Sequence, residues 1–382
     1  MSTATTATIA RASSAAVQRV AIAGPSDHAM LRNRDSLIRD LVARRQTVVC
    51  IAPAFDPDRR RALNLMGAET IPFDPPPGRF RLLDDWQRSK ALAALLADWK
   101  PDAVLGFGLS SMIEAVLAAK RARVGRIVAL LNAPLDSPAV NGGPNPARRL
   151  AKALAAADAV VAHNPQLTRQ ARALAGTRSA ATWTEVTGAG VDLDHHAVQM
   201  LPPIDDGLVF LMIAPLDARR GVLDFADAAR QIRAHGRRAR FLLVASPGMG
   251  SDAIPRDALT PYAADIEVID PVDDVRPLLA RCHVYVYPSR AEGMPRSVLE
   301  ALAAGRPVIT TDTPGCRDAL DERVNGCLVP PHDAGALTLA IESVLKRPDL
   351  IPSQARASRL KAERRFDVRE VNRVLLDALG IG

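Results

Sequence analysis

Two carboxylates in one short stretch are the residues best placed to do chemistry. In Glu292-Gly293-Met294-Pro295-Arg296-Ser297-Val298-Leu299-Glu300, the first acid stands in a loop and the second inside a helix. Pro295 suits the first turn of that helix, and Gly305 supplies its stop. Paired carboxylates that act as an acid–base dyad face each other at roughly 5 to 9.5 Å. A helical span of eight residues would rise about 12 Å, which favours a clamp on two ends of one ligand. Between the acids, the backbone N–H groups of Arg296, Ser297 and Val298 lie at a helix N-terminus and suit a phosphate. A ligand with hydroxyls at both ends and phosphates between them is a nucleotide sugar.

The elements that must carry this stretch alternate in type. Strands are expected at 19–23, 47–51, 69–72, 103–105, 127–131, 159–162 and 185–187, with helices at 34–45, 59–66, 84–99 and 108–120. After a Pro-rich joint the rhythm restarts. Strands are expected at 208–214, 241–245, 266–269, 284–287 and 308–311, and helices at 222–234, 275–280, 297–304 and 334–345. This alternation predicts parallel, doubly wound sheets, with ligands beyond the carboxyl ends of the strands. The chain divides into a disordered leader (1–18), a first Rossmann-like domain (19–200), a linker (201–207), a second Rossmann-like domain (208–365) and a C-terminal helix (366–382). With 382 residues, 48% hydrophobic and 24% charged, two soluble globular domains are the natural expectation.

The remaining signals are weaker. The net charge of +7 suits an anionic ligand or surface. The basic helix beginning at Arg34, with Arg148, Arg149 and Lys152, is a candidate for contact with an anionic membrane face. The leader has Arg11 and no acid but lacks the apolar core of a secretory signal, and no stretch is long and apolar enough to span a membrane. Cys50, Cys282, Cys316 and Cys327 have no metal spacing, which favours reduced thiols in a cytoplasmic protein. Gly106-x-Gly108 lacks the third glycine and the downstream acid of a dinucleotide fingerprint. Asp192-Leu193-Asp194, after a glycine turn, reads as a turn and cap in preference to a metal motif. His163, following a strand, is expected to face solvent or cap a helix. His28, in the first strand–helix loop, is a candidate for the cleft, as are Gly24, Gly188 and Gly190.

The nine residues from Glu292 to Glu300 resemble the E-x7-E signature of family 4 glycosyltransferases. The resemblance extends over Asp273–Pro277, Gly305–Asp312, Pro314–Arg317 and Asn325–Pro331, and is strongest over 208–376. It points to the bacterial branch that builds exopolysaccharide and O-antigen on lipid carriers. It implies a GT-B fold, two Rossmann-like domains facing across a cleft, with the C-terminal helix returning to the first domain. It implies retention of anomeric configuration, a nucleotide-sugar co-substrate, UDP-linked, with no cofactor or metal, and a glycan or polyprenyl-linked acceptor. Nucleic acid is not an expected partner. The expected location is the cytoplasm, peripheral on the inner membrane face. Glu292 would hold the donor sugar near the reacting carbon and Glu300 the ribose. Gly293, Met294, Pro295, Arg296, Ser297 and Val298 would line the donor, the amides of Arg296 to Val298 taking the diphosphate, with Arg220 standing for a phosphate-binding lysine and Arg219 or Arg220 substituting for an arginine absent at Pro215. Two departures stand out: Pro215 occupies a position usually held by arginine, and the strand ends at Leu105–Gly108 and Asn132–Pro134 lack a histidine. They leave a silent nucleotide-binding scaffold, or an epimerase on the same fold, as alternatives.

Overall fold

The structure, a computed structural model, describes residues 18–74, 81–132, 135, 146–176, 179–248, 252–290 and 294–382. The first half forms a seven-stranded sheet from β1 (Arg19–Ala23), β2 (Thr47–Ala52), β3 (Ala68–Pro72), β4 (Ala103–Phe107), β5 (Arg126–Leu131), β6 (Ala159–Ala162) and β7 (Thr182–Glu185). Its strand order is β3-β2-β1-β4-β5-β6-β7, and neighbouring strands are parallel. Connections run through α1 (Asp27–Ala43), α2 (Pro57–Leu65), α3 (Arg81–Trp99), α4 (Leu109–Ala122), α5 (Pro146–Ala156) and α6 (Pro165–Ala175). Both faces of this sheet are covered, which is why its central strands are apolar without alternation. Val20 and Ile22 pack with α1, whereas Ala21 and Ala23 pack on the face carrying α3 and α4.

The second sheet repeats the design. Its strands are β8 (Leu208–Pro215), β9 (Ala239–Ser246), β10 (Glu267–Ile269), β11 (Val284–Tyr287), β12 (Val308–Thr311) and β13 (Gly326–Val329). They run β10-β9-β8-β11-β12-β13, again parallel. Helices α7 (Val222–Ala234), α8 (Arg276–Arg281), α9 (Arg296–Ala303), α10 (Pro314–Arg317) and α11 (Ala334–Lys346) accompany it. In both sheets the order reverses beside the first strand, between β1 and β4 and between β8 and β11. The switch points where such sheets take ligands lie there.

Helices α12 (Ile351–Arg365) and α13 (Val368–Leu379) close the chain. Val371, Leu375, Leu376 and Leu379 of α13 join the core of the first sheet. Asn372 Nδ2 donates to Ser36 Oγ at 3.0 Å and to Asp40 Oδ2 at 2.6 Å. The last helix therefore returns to the first domain, as expected. Burial of each of these leucines contributes about 1.5–3 kcal/mol.

Several boundaries differ from expectation. α1 begins at Asp27, seven residues early, because Ser26 caps it by accepting from Ala29 N. β7 lies at 182–185 instead of 185–187, and β13 and α12 were not anticipated. α12 is polar and Arg-rich, so it carries no strong apolar stripe.

Candidate functional site

The second-domain wall is built from three loop starts. β8 ends at Pro215, and the turn that follows holds Arg219 and Arg220 in a single 3-10 turn. Asp217 shapes it, its Oδ1 accepting from Arg219 N at 2.8 Å. The Arg219 guanidinium is held by Asp217 at 3.3 Å and Asp252 at 3.1 Å. Arg220 Nη1 donates instead to Tyr287 Oη at 3.1 Å, along the cleft. Gly221 is required here: its φ is +72°, and a Cβ would lie 2.0 Å from Pro288 O. That close approach joins the β8 turn to the β11 loop. The same junction is fastened by Arg290 N on Arg219 O at 2.7 Å and by an Arg290–Asp224 ion pair at 3.0 Å.

α9 forms the next part of the wall. Met294, Pro295, Arg296 and Ser297 line the cleft. Of the three amides expected to seat a phosphate, Val298 N is already committed to Pro295 O at 3.2 Å, and the Val298 side chain is fully buried. Arg296 and Ser297 are left as the amides of this first turn. Glu292 and Gly293 lie outside the described residues. Glu300 is not in the cleft lining: its carboxylate is 3% exposed and accepts from Arg296 Nε at 2.8 Å and from Arg32 Nη2 at 3.2 Å. His196 Nε2 stands 3.9 Å from the same carboxylate. The Arg32–Glu300 pair crosses from α1 to α9 and joins the domains. Any further hydrogen bond to this carboxylate competes with these partners.

The first-domain wall differs more from expectation. His28 lines the cleft, and burial, with Arg32 and Arg59 nearby, lowers its pKa. Gly24 does not reach the cleft: a Cβ there would lie 2.4 Å from the Phe107 ring. Gly188 approaches Met294 across the domains, where a Cβ would meet Met294 Cγ at 2.6 Å. Gly190 presses on the Val368 backbone, 2.7 Å from an added Cβ, and Ala189 is the member of this loop that faces the cleft. Asp192 caps its own turn, Oδ1 accepting from Asp194 N and His195 N at 3.0 and 2.9 Å.

Two further residues correct the sequence reading. His163 neither faces solvent nor caps α6, a role taken by Asn164; it is 6% exposed and borders the cleft. Burial and the Arg34 charge push its imidazole down to about 3. Arg34 is not on a membrane-facing surface; it is 1% exposed and borders the same cleft. Burial alone is the signal that distinguishes these two, and it is not written in residue type.

The cleft between the walls has a volume of about 720 Å³. Its described lining includes Arg32, Arg34, Arg219, Arg220 and Arg296, against one carboxylate, Asp217. Three of these arginines also hold carboxylates, Arg32 and Arg296 on Glu300 and Arg219 on Asp217 and Asp252, and the positive charge left over suits an anionic ligand.

Known proteins resemble the chain along both halves. The family model for glycosyltransferase family 4 matches residues 35–195, and that for glycosyl transferases group 1 matches residues 207–347. N,N'-diacetylbacillosaminyl-diphospho-undecaprenol alpha-1,3-N-acetylgalactosaminyltransferase of Campylobacter jejuni is 30% identical over 145 residues, 37% of each chain. The putative colanic acid biosynthesis glycosyltransferase WcaL of Escherichia coli is 28% identical over 208 residues, 51% of this chain and 50% of that one. The chain thus spans half or less of the length of these curated relatives. Among solved structures, Anabaena Alr3699/HepE in complex with UDP-glucose superposes with a TM-score of 0.74 at 18% identity, covering 95% of this chain and 99% of that one. At that identity the likeness is one of fold, the GT-B arrangement of two doubly wound domains.

Proposed function

We propose, for a chain that belongs to the glycosyltransferases of family 4 and group 1, that it moves a sugar from a nucleotide-sugar donor to a glycan or lipid-linked acceptor in surface-polysaccharide synthesis. The observation that carries this reading is the arginine-ringed cleft at the switch points of both sheets, with the α9 N-terminus opening into it. In this reading the donor diphosphate lies against Arg220 and the amides of Arg296 and Ser297. These groups hold the charge that develops on the leaving phosphate, and no resident cofactor or metal is invoked. Glu292 orients the donor sugar and Glu300 its ribose. The acceptor hydroxyl attacks the anomeric carbon on the face the leaving group departs from, giving up its proton to the departing phosphate, so configuration is retained.

The relatives support the partners. The Campylobacter protein is named for a diphospho-undecaprenol acceptor, and the Anabaena structure holds UDP-glucose. A polyprenyl-linked acceptor would place the enzyme against the inner membrane face without a spanning segment. Among the described residues no helix is long and apolar enough to cross a membrane.

Incubation with a panel of nucleotide sugars and a prenyl-diphosphate-linked sugar acceptor tests the reading. The expected outcome is one donor consumed, nucleotide diphosphate released, and a product whose anomeric proton coupling matches the donor. A product of opposite configuration would refute retention. Donor isomerised without acceptor would mean an epimerase.

A further inference from the structure

A guanidinium carries five N–H donors and stays charged at neutral pH, so burying one without partners is costly. Arg34 is 1% exposed, yet its Nε and Nη2 have no hydrogen-bond partner among the described residues. Asp35, the carboxylate that favours its charge, is engaged by Arg39 at 3.4 Å. The Phe107 ring lies 5.3 Å from Arg34 Cζ and offsets part of the lost hydration. Burial, then repulsion from Arg296, pushes the Arg34 pKa down to about 9. His163 borders the same cleft from the end of β6 and is 6% exposed, with Nε2 also unpartnered among the described residues. Its backbone is fixed from two sides, N–H on Leu131 O at 3.0 Å and carbonyl under Gly188 N at 3.1 Å. The ring is neutral at pH 7 and is able to donate one N–H without adding charge.

We infer that Arg34 and His163 form an oxyanion seat on the first-domain wall, separate from the donor seat of Arg220 and α9, and that it holds a phosphate or diphosphate carried by the acceptor. Two buried polar side chains against one cleft, with Arg34 Nε and Nη2 and His163 Nε2 lacking hydrogen-bond partners among the described residues, fit a ligand oxygen better than a folding role. An unpaired buried cation weakens the fold until an anion arrives. The position assigns the anion to the acceptor. Arg34 and His163 belong to α1 and β6 of the first sheet, whereas Arg220 and the α9 amides belong to the second. Arg34 and Arg296 line the same cleft, so both seats open into one space that a single reaction can use. An uncharged glycan acceptor would leave the first seat empty. The word acceptor rests on the glycosyl-transfer reading above; the seat itself rests on geometry.

The test is titration with inorganic pyrophosphate, followed by calorimetry and thermal unfolding, with and without saturating UDP. UDP-saturated wild type should still bind pyrophosphate and unfold at higher temperature with it. Arg34→Met should weaken pyrophosphate at least tenfold and leave UDP affinity within about twofold, while Arg34→Lys should keep most pyrophosphate binding. Arg220→Gln should do the reverse of Arg34→Met. Without ligand, Arg34→Met should unfold no earlier than wild type. Three results would overturn the seat. They are no pyrophosphate binding to wild type, pyrophosphate competing with UDP, and Arg34→Met unfolding early while Arg34→Lys binds no pyrophosphate. Should no nucleotide diphosphate bind while pyrophosphate still depends on Arg34, the seat stands and the nucleotide-donor reading falls.

Discussion

At the scale of single residues, the cleft joins side chains that residue type alone sorts wrongly. Arginine and histidine are usually exposed, so Arg34 and His163 carry no mark of burial in the sequence; the spacing of Glu292 and Glu300 does carry a mark. His163 has a measurable consequence for stability. Its ordinary value of 6.5 falls to about 3 in the folded chain. Between these values the unfolded state binds a proton that the folded state refuses. Stability is therefore unaffected above pH 6.5 and falls with pH below it, by about 1.4 kcal/mol per pH unit across that window. His163→Gln should flatten the acid limb of a urea-unfolding series between pH 6 and 4; parallel curves would show the imidazole to be protonated when folded. Glu300 supplies a second expectation. Arg32 holds its carboxylate at 3.2 Å beside Arg296 at 2.8 Å, so Arg32→Gln should remove one of two guanidinium partners and tighten UDP binding by roughly three- to tenfold. Weaker binding would mean that Arg32 itself holds the nucleotide.

At the scale of elements, apolar runs of central strands and well-stopped helices were legible. Ala159–Ala162, Val222–Ala234, Val284–Tyr287 and Val308–Thr311 fall where residue pattern places them. Segments whose burial depends on tertiary neighbours were not. α12 is polar in sequence, yet its Arg359 Nη1 ties it to Leu193 O, His196 O and Ala303 O at 3.3, 3.0 and 2.9 Å. One crossing between the domains is built from backbone. Val191 N donates to Phe366 O at 2.7 Å and Val368 N to Val191 O at 3.1 Å, pairing the two chains that pass between the sheets. Arg306 fastens the segment entering the linker through Gln199 O and Met200 O at 2.9 and 2.8 Å. Gly190 sits in this junction at φ +74°, with the Val368 backbone in the way of any side chain. Gly188 has similar φ, but its obstacle is the movable Met294 side chain. Gly190→Ala should therefore destabilise by roughly 1–3 kcal/mol and Gly188→Ala by less. Chemical denaturation ranks them, and equal midpoints would remove the distinction between backbone and side-chain obstruction.

At the scale of the molecule, two copies of one sheet design face a shared cleft, and the last helix returns to bind the first copy. The alternation of strand and helix made that architecture readable, because period and element length survive substitution. Which wall receives which part of a ligand was less readable. The first-domain wall offers Asn132, Arg34 and His163 where the family pattern suggests a histidine beside the acceptor. On the second-domain wall Arg219, Arg220, Met294, Pro295, Arg296 and Ser297 line the cleft, whereas Glu300 is turned into ion pairs, Val298 N is spent within the helix, and Glu292 and Gly293 lie outside the described residues. Transfer from a nucleotide sugar is the central proposal, and the role proposed for Glu292 is the part of it that one substitution tests. The direct measurement is nucleotide diphosphate release by wild type and Glu292→Ala, with matched thermal unfolding to show that both are folded. Release from at least one donor by wild type, falling at least about a hundredfold in the variant, is the expected result. Release that is undiminished in folded Glu292→Ala, or absent from wild type with every donor, would contradict it.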